Sequence, residues 1–163
     1  MDNSVYVIGY DKAGEPIYSN NKPLILEYAL SDKAYPPEKA YQNDAGFDIR
    51  TPYEFTVKPH DSASINTGLH VQIPVGYYGY ICSKSGLNFY GNLITTGVID
   101  SGYTGAINVK LYNLGPTEIA FEAGSKIAQM VILPVPVVFP KKIDLSYFIK
   151  TERGDNGFGS TGR

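Results

Sequence analysis

The chain has 163 residues, which fits one domain able to fold without a disulfide or structural metal. Its hydrophobic content of 43% and charged content of 18% place it among globular rather than disordered chains. A formal net charge of -2 gives no general attraction to nucleic acid or to a membrane surface. No stretch reaches the ~20 apolar residues of a membrane span, and the first residues lack the basic-then-apolar pattern of a secretory signal. Cys82 is the single cysteine, so a reducing, cytoplasmic setting is expected, or the host cytoplasm for a viral chain.

Glycine (17), proline (11) and tyrosine (14) punctuate short segments rich in Val, Ile, Tyr and Thr. This pattern predicts an all-β domain. Residues 1–22 read as a hairpin of their own, with strands over Ser4–Tyr10 and Ile17–Ser19. Strands follow at Leu24–Leu30, Gly46–Arg50, Glu54–Val57, Ala63–Gln72 and Tyr77–Cys82. A short helix is expected over Ser85–Phe89. Further strands fall at Leu93–Thr95, Gly97–Asp100, Ala106–Asn113, Thr117–Phe121, Lys126–Pro134 and Val137–Phe139. Residues 23–152 form the main domain, and 153–163 a glycine-rich arm whose one apolar residue is Phe158.

Metal ligands are scarce. His60 and His70 are the only histidines, and with one cysteine they cannot build the usual zinc sites. Any metal should be hard, oxygen-bound and held by substrate phosphates.

Five segments carry chemistry. The arm, Arg153-Gly-Asp-Asn-Gly-Phe-Gly-Ser-Thr-Gly-Arg163, combines a potential backbone anion nest with hydroxyls and a guanidinium fork. A solvated tail is the alternative. Ser83-Lys-Ser-Gly-Leu87 sits where a strand meets a helix start, which suits phosphate or simply an N-cap turn. Gly97-Val-Ile-Asp-Ser-Gly-Tyr-Thr-Gly105 reads as a hairpin, with Asp100 a general base or a turn cap and Tyr103 a ring platform or hairpin packing. Asp48, in Ala45-Gly-Phe-Asp-Ile49, either needs a partner inside an apolar strand or faces solvent. Gln129, in Ala123-Gly-Ser-Lys-Ile-Ala-Gln129, can reach a phosphate or satisfy a backbone group.

In this order and spacing, the five segments resemble the five motifs of the homotrimeric dUTP pyrophosphatases (dUTPases). The resemblance runs from about Leu24 to Gly162. It implies a distorted jelly roll, three subunits with shared sites, and hydrolysis of dUTP to dUMP and pyrophosphate with Mg²⁺. Asp100 would activate the attacking water, supported indirectly by Asp48 through a water or the closing arm. Tyr103 would lie under the deoxyribose. Gly97, Val98, Ile99 and Asn108 would bind uracil, with Phe158 stacked on it. Lys84, Ser85, Gly86, Gln129, Arg153, Gly159, Ser160 and Thr161 would bind phosphates, Gln129 alternatively a metal-bound water. The Mg²⁺ has no direct protein ligand in this reading.

Two positions depart from the pattern. Lys84 stands where the family usually has arginine, keeping the charge but losing the bidentate fork. Gly102 stands where an acidic residue often precedes the tyrosine. Two other readings share the scaffold. A dCTP deaminase needs a glutamate where this chain has Lys110. A non-catalytic nucleotide-sensing or protein-binding module would use the extra N-terminal hairpin.

Overall fold

A computed structural model describes residues 4–10, 13–19 and 22–156. The order begins with β1 (Tyr6–Tyr10), β2 (Pro16–Ser19), β3 (Glu27–Leu30), β4 (Gly46–Arg50) and β5 (Phe55–Val57). Next come β6 (Ser62–Asn66), β7 (Leu69–Gln72), β8 (Tyr77–Cys82) and the one α-helix among the described residues, α1 (Ser85–Gly91). The rest are β9 (Leu93–Ile94), β10 (Thr96–Ile99), β11 (Asn108–Asn113), β12 (Ile119–Phe121) and β13 (Lys126–Pro134). A single 3-10 turn spans Leu145–Tyr147.

The fold is the all-β architecture that the composition predicts, arranged as the jelly roll that the resemblance implies. Its central layer is a four-stranded antiparallel sheet in the order β10-β8-β13-β4. A three-stranded sheet, β6-β11-β9, packs with it, and the pairs β5–β12 and β3–β7 close the sides. The core lies between these layers: Ile49, Ile65, Ile81, Ile107, Leu111, Ile127 and Met130 are all buried. Period-two patterning explains the layering. Along β11, Val109, Leu111 and Asn113 face the core, while Asn108, Lys110 and Tyr112 face out. Asn113 tolerates burial because its amide is satisfied: Nδ2 donates to the carbonyls of Val57 (3.0 Å) and Thr117 (2.8 Å).

β1 and β2 pair with each other as an antiparallel hairpin that adds to neither main sheet. Gly9 of β1 lies flat against the Gln42 side chain, whose atoms occupy the space a Cβ would need.

Three predicted elements differ. The single strand expected over Ala63–Gln72 is two, β6 and β7. The chain turns at Thr67-Gly68, where Gly68 has φ +65° and backs onto Ala34. Leu24–Leu30 is extended only from Glu27, where β7 supplies a partner. Val137–Phe139 forms no strand: it is exposed, flanked by Pro136 and Pro140, and no described strand lies alongside it.

Candidate active site

The central sheet sets a row of polar side chains in register. Thr96 lies opposite Cys82, Cys82 opposite Gln129, and Gln129 opposite Asp48. Residues paired across antiparallel strands share a face, so this row crosses the sheet from β10 to β4. Gln129 Nε2 donates to the Ser83 carbonyl (3.0 Å), fixing the chain where β8 leaves the sheet. Ser83 Oγ accepts from the Thr95 amide (2.9 Å) and ties the same corner to the β9–β10 link. Gly46 makes room for Gln129, since a Cβ there would lie 2.6 Å from its Oε1.

Asp48 is buried, its side chain only 7% exposed. Lys84 Nζ donates to Asp48 Oδ1, and Lys126 Nζ lies 2.5 Å from Oδ2. Burial pushes the Asp48 carboxyl upward, but hydrogen bonds and charge from Lys126 and Lys84 outweigh it and hold the group below the ordinary carboxylate range. Two ammoniums around one carboxylate leave a local surplus of positive charge at the N-terminus of α1. The helix opens at Lys84, its N-cap, with Ser85 and Gly86 exposed in its first turn. Lys126 did not emerge from the sequence as a site residue. It opens β13, and only the pairing of β13 with β4 brings it to Asp48.

A second cluster lies at the other end of β10. Asp100 follows that strand and accepts from the Tyr103 amide across a tight turn (3.0 Å) through its carbonyl. Val98, Ile99, Asp100, Tyr103 and Asn108 line one pocket of about 190 Å³. The expected hairpin is in fact splayed: β10 belongs to the central sheet and β11 to the second, with no ladder between them. β10 is therefore an edge strand: Gly97, Val98 and Ile99 pair with β8 on one side, and Val98 and Ile99 line the pocket. The Tyr103 hydroxyl donates to the Ala106 carbonyl (2.9 Å), as does Asn108 Nδ2 (3.1 Å). Gly105 is pressed against the Tyr103 ring, where a Cβ would come within 2.5 Å of the hydroxyl oxygen.

The two clusters do not meet within one chain. Asp100 lies four residues beyond the level of the Thr96–Cys82 pair, about 13 Å at a strand rise of ~3.3 Å per residue. Lys84 leaves the sheet in the opposite direction. Arg153 is exposed, with Nε donating to the Asn156 carbonyl (3.3 Å) rather than to Asp48. Phe158, Gly159, Ser160 and Thr161 lie outside the described residues. Lys110 faces out from β11 with its ammonium 5.1 Å from the Tyr112 ring centroid.

The dUTPase family model matches residues 32–162. The chain belongs to the dUTPase family. It is 41% identical to the deoxyuridine 5'-triphosphate nucleotidohydrolase of Clostridium novyi, over 85% of this chain and 98% of that protein. It is 37% identical to the enzyme of the same name from Fowlpox virus, over 85% of this chain and 97% of that protein. Among solved structures it resembles the dUTPase of Staphylococcus bacteriophage 80alpha bound to dUPNHPP, with TM-score 0.75 and 31% identity over 85% of this chain and 99% of that one.

dUTPases depend on Mg²⁺. Among the described residues, no three His, Cys, Asp or Glu side chains gather as a metal-binding group. No helix among the described residues is long and apolar enough to cross a membrane.

Proposed function

We propose that this dUTPase hydrolyses dUTP to dUMP and pyrophosphate by water attack on the α-phosphorus, with Asp100 orienting the water and accepting its proton. The water oxygen bonds to phosphorus, and the bridging oxygen leaves with pyrophosphate. The observation that carries this reading is the pocket that gathers Asp100, Tyr103, Asn108 and the open edge of β10. A strand edge presents alternating N–H and C=O groups, the complement of uracil's own edge. The 5-methyl of thymine would crowd such a site, and the amino group of cytosine would oppose a donor. Tyr103, held by Ala106 and Gly105, offers its ring as a floor for deoxyribose with no space for a 2′-hydroxyl.

In the same reading, Lys84, Ser85 and Gly86 receive phosphates at the start of α1. The ammonium of Lys84 has three donors and gives one to Asp48, so it can serve both. Gln129 would hold a metal-bound water or a phosphate, and Asp48 positions Lys84. When bound, Mg²⁺ neutralises phosphate charge. Arg153, Gly159, Ser160 and Thr161 close on the γ-phosphate and Phe158 on uracil, which makes 153–163 a lid over the 23–152 body, with 1–22 an appended hairpin. The distance between the two clusters supports sites shared among the chains of a homotrimer. Burial raises the thiol of the half-buried Cys82, which suits an unreactive strand cysteine and a reducing, cytoplasmic setting.

The deciding experiment compares dUTP turnover in the wild type and in Asp100→Asn. Loss of at least ~100-fold is expected, the scale of a missing general base. Asp100 is exposed, so the variant should fold normally. Comparable rates in both proteins would remove Asp100 from the reaction, and an inactive wild type would favour a binding module. Release of ammonia from dCTP would revive the deaminase reading, which Lys110 disfavours.

A further inference from the structure

We propose that His70 is a positioning residue for sugar selection, acting through the turn that carries Tyr103. His70 belongs to β7, outside the five motif segments. Its Nδ1 lies 2.9 Å from the Thr104 carbonyl, and its Nε2 lies 3.1 Å from Ser31 Oγ. A carbonyl only accepts, so Nδ1 carries the proton. Nε2 lies within hydrogen-bond reach of the Ser31 hydroxyl, which can donate or accept. Ser31 is itself fixed, its amide donating to the Gly68 carbonyl (2.9 Å). The ring is thus anchored on one side and holds the catalytic turn on the other.

Thr104 and Gly105 share the peptide that His70 grips. Turning its carbonyl toward β7 sets the orientation of Gly105, and Gly105 is the residue pressed against the Tyr103 ring. The back of this turn faces a pocket of about 230 Å³ lined by Glu27, Tyr28, His70, Val71, Gln72 and Thr104. With open space behind the turn, the His70 contact is what fixes the 104–105 peptide there. Loss of that contact lets the peptide rotate and the Tyr103 ring shift, which opens room for a 2′-hydroxyl.

The inference rests on the proposed place of Tyr103 under the deoxyribose, and the test separates the two ideas. Values of kcat/KM for dUTP and UTP are measured in the wild type, Tyr103→Ala, His70→Phe, His70→Asn and Ser31→Ala. His70→Phe keeps a ring and removes both nitrogens, whereas His70→Asn keeps a side-chain N–H donor. The expected result is a fall of about three- to tenfold in the dUTP/UTP ratio for His70→Phe, the scale of one hydrogen bond. His70→Asn should restore most of that ratio. Unchanged selectivity in His70→Phe, alongside a lowered ratio in Tyr103→Ala, would overturn the role of His70. Unchanged selectivity in Tyr103→Ala would instead overturn the sugar floor itself. Should His70→Phe not fold, Ser31→Ala decides: with its ring loosened it should lose part of the ratio, and a wild-type ratio there refutes the proposal.

Discussion

Asp48 shows how a single buried charge can serve a site it does not touch. The desolvation of a carboxylate is costly unless it is paired, and here two ammoniums arrive from different elements, Lys84 from the β8–α1 corner and Lys126 from β13. Asp48→Asn leaves those cations facing each other. The lysine side chains are 27% and 37% exposed, so water relieves part of their repulsion. A loss of about 1–2 kcal/mol is expected in chemical denaturation at neutral pH. The sign of its pH dependence follows from the lowered pKa. The unfolded carboxyl binds its proton near the ordinary value of about 3.9, and the folded one at lower pH. Asp48 therefore stabilises the fold fully above the ordinary value, and its contribution is lost as pH falls through the folded value. The wild type and Asp48→Asn should differ most above pH ~4 and converge on acidification. A difference that stayed constant across that range would mean that packing, not charge, sets the cost. Turnover should fall as well, because Lys84 loses the partner that aims it.

At the scale of elements, the arm tests the division of labour between scaffold and lid. Its described part, residues 153–156, is exposed and makes local turn contacts such as the Asn156 amide to the Arg153 carbonyl (3.0 Å). None of its described residues belongs to the buried core. Truncation after Glu152 should therefore leave the melting temperature nearly unchanged while turnover falls by at least ~100-fold, the scale of a lost preorganised charge clamp. Near-normal turnover would refute the lid. The elements themselves were legible wherever a local pattern suffices. The alternation of β11 and the apolar run of β8 announce strands, and the Ser83-Lys-Ser-Gly corner announces α1. Elements that depend on a partner were not legible. Val137–Phe139 has strand composition but pairs with no described strand, and Ala63–Gln72 breaks because Gly68 turns close against Ala34. Lys126 escaped for the same reason: its link to Asp48 exists only through the pairing of β13 with β4, which the sequence around Lys126 does not encode. His70 likewise looks like an ordinary strand residue until β7 is seen beside the turn at Thr104.

The whole molecule poses the question of how two distant clusters make one site. One end of β10 holds Asp100 and Tyr103, and the other adjoins the corner with Lys84 and Gln129. In the proposed site both clusters reach one triphosphate, and within a chain the sheet holds them apart. The residues after β13 point to the solution. Positions 134–150 are exposed throughout, and among them Val137 (83%), Phe139 (86%) and Ile149 (87%) are apolar. Apolar surface this concentrated marks an interface, and the same stretch leads to the arm, which supports the proposal that the arm reaches from one copy to another. In that proposal, each site of a trimer draws on Asp100 from one chain and the arm from another. Mixing two inactive proteins tests this directly. Asp100→Asn contributes intact arms, and the chain truncated after Glu152 contributes intact Asp100. If sites are shared, exchange of subunits creates some with both parts, and dUTP turnover should appear in the mixture at a fraction of the wild-type rate. The regained activity should require subunit exchange, rising after dilution and reassociation and staying absent when the two proteins are kept as separate, undissociated assemblies. No activity after verified exchange would mean that the arm closes over its own chain's Asp100.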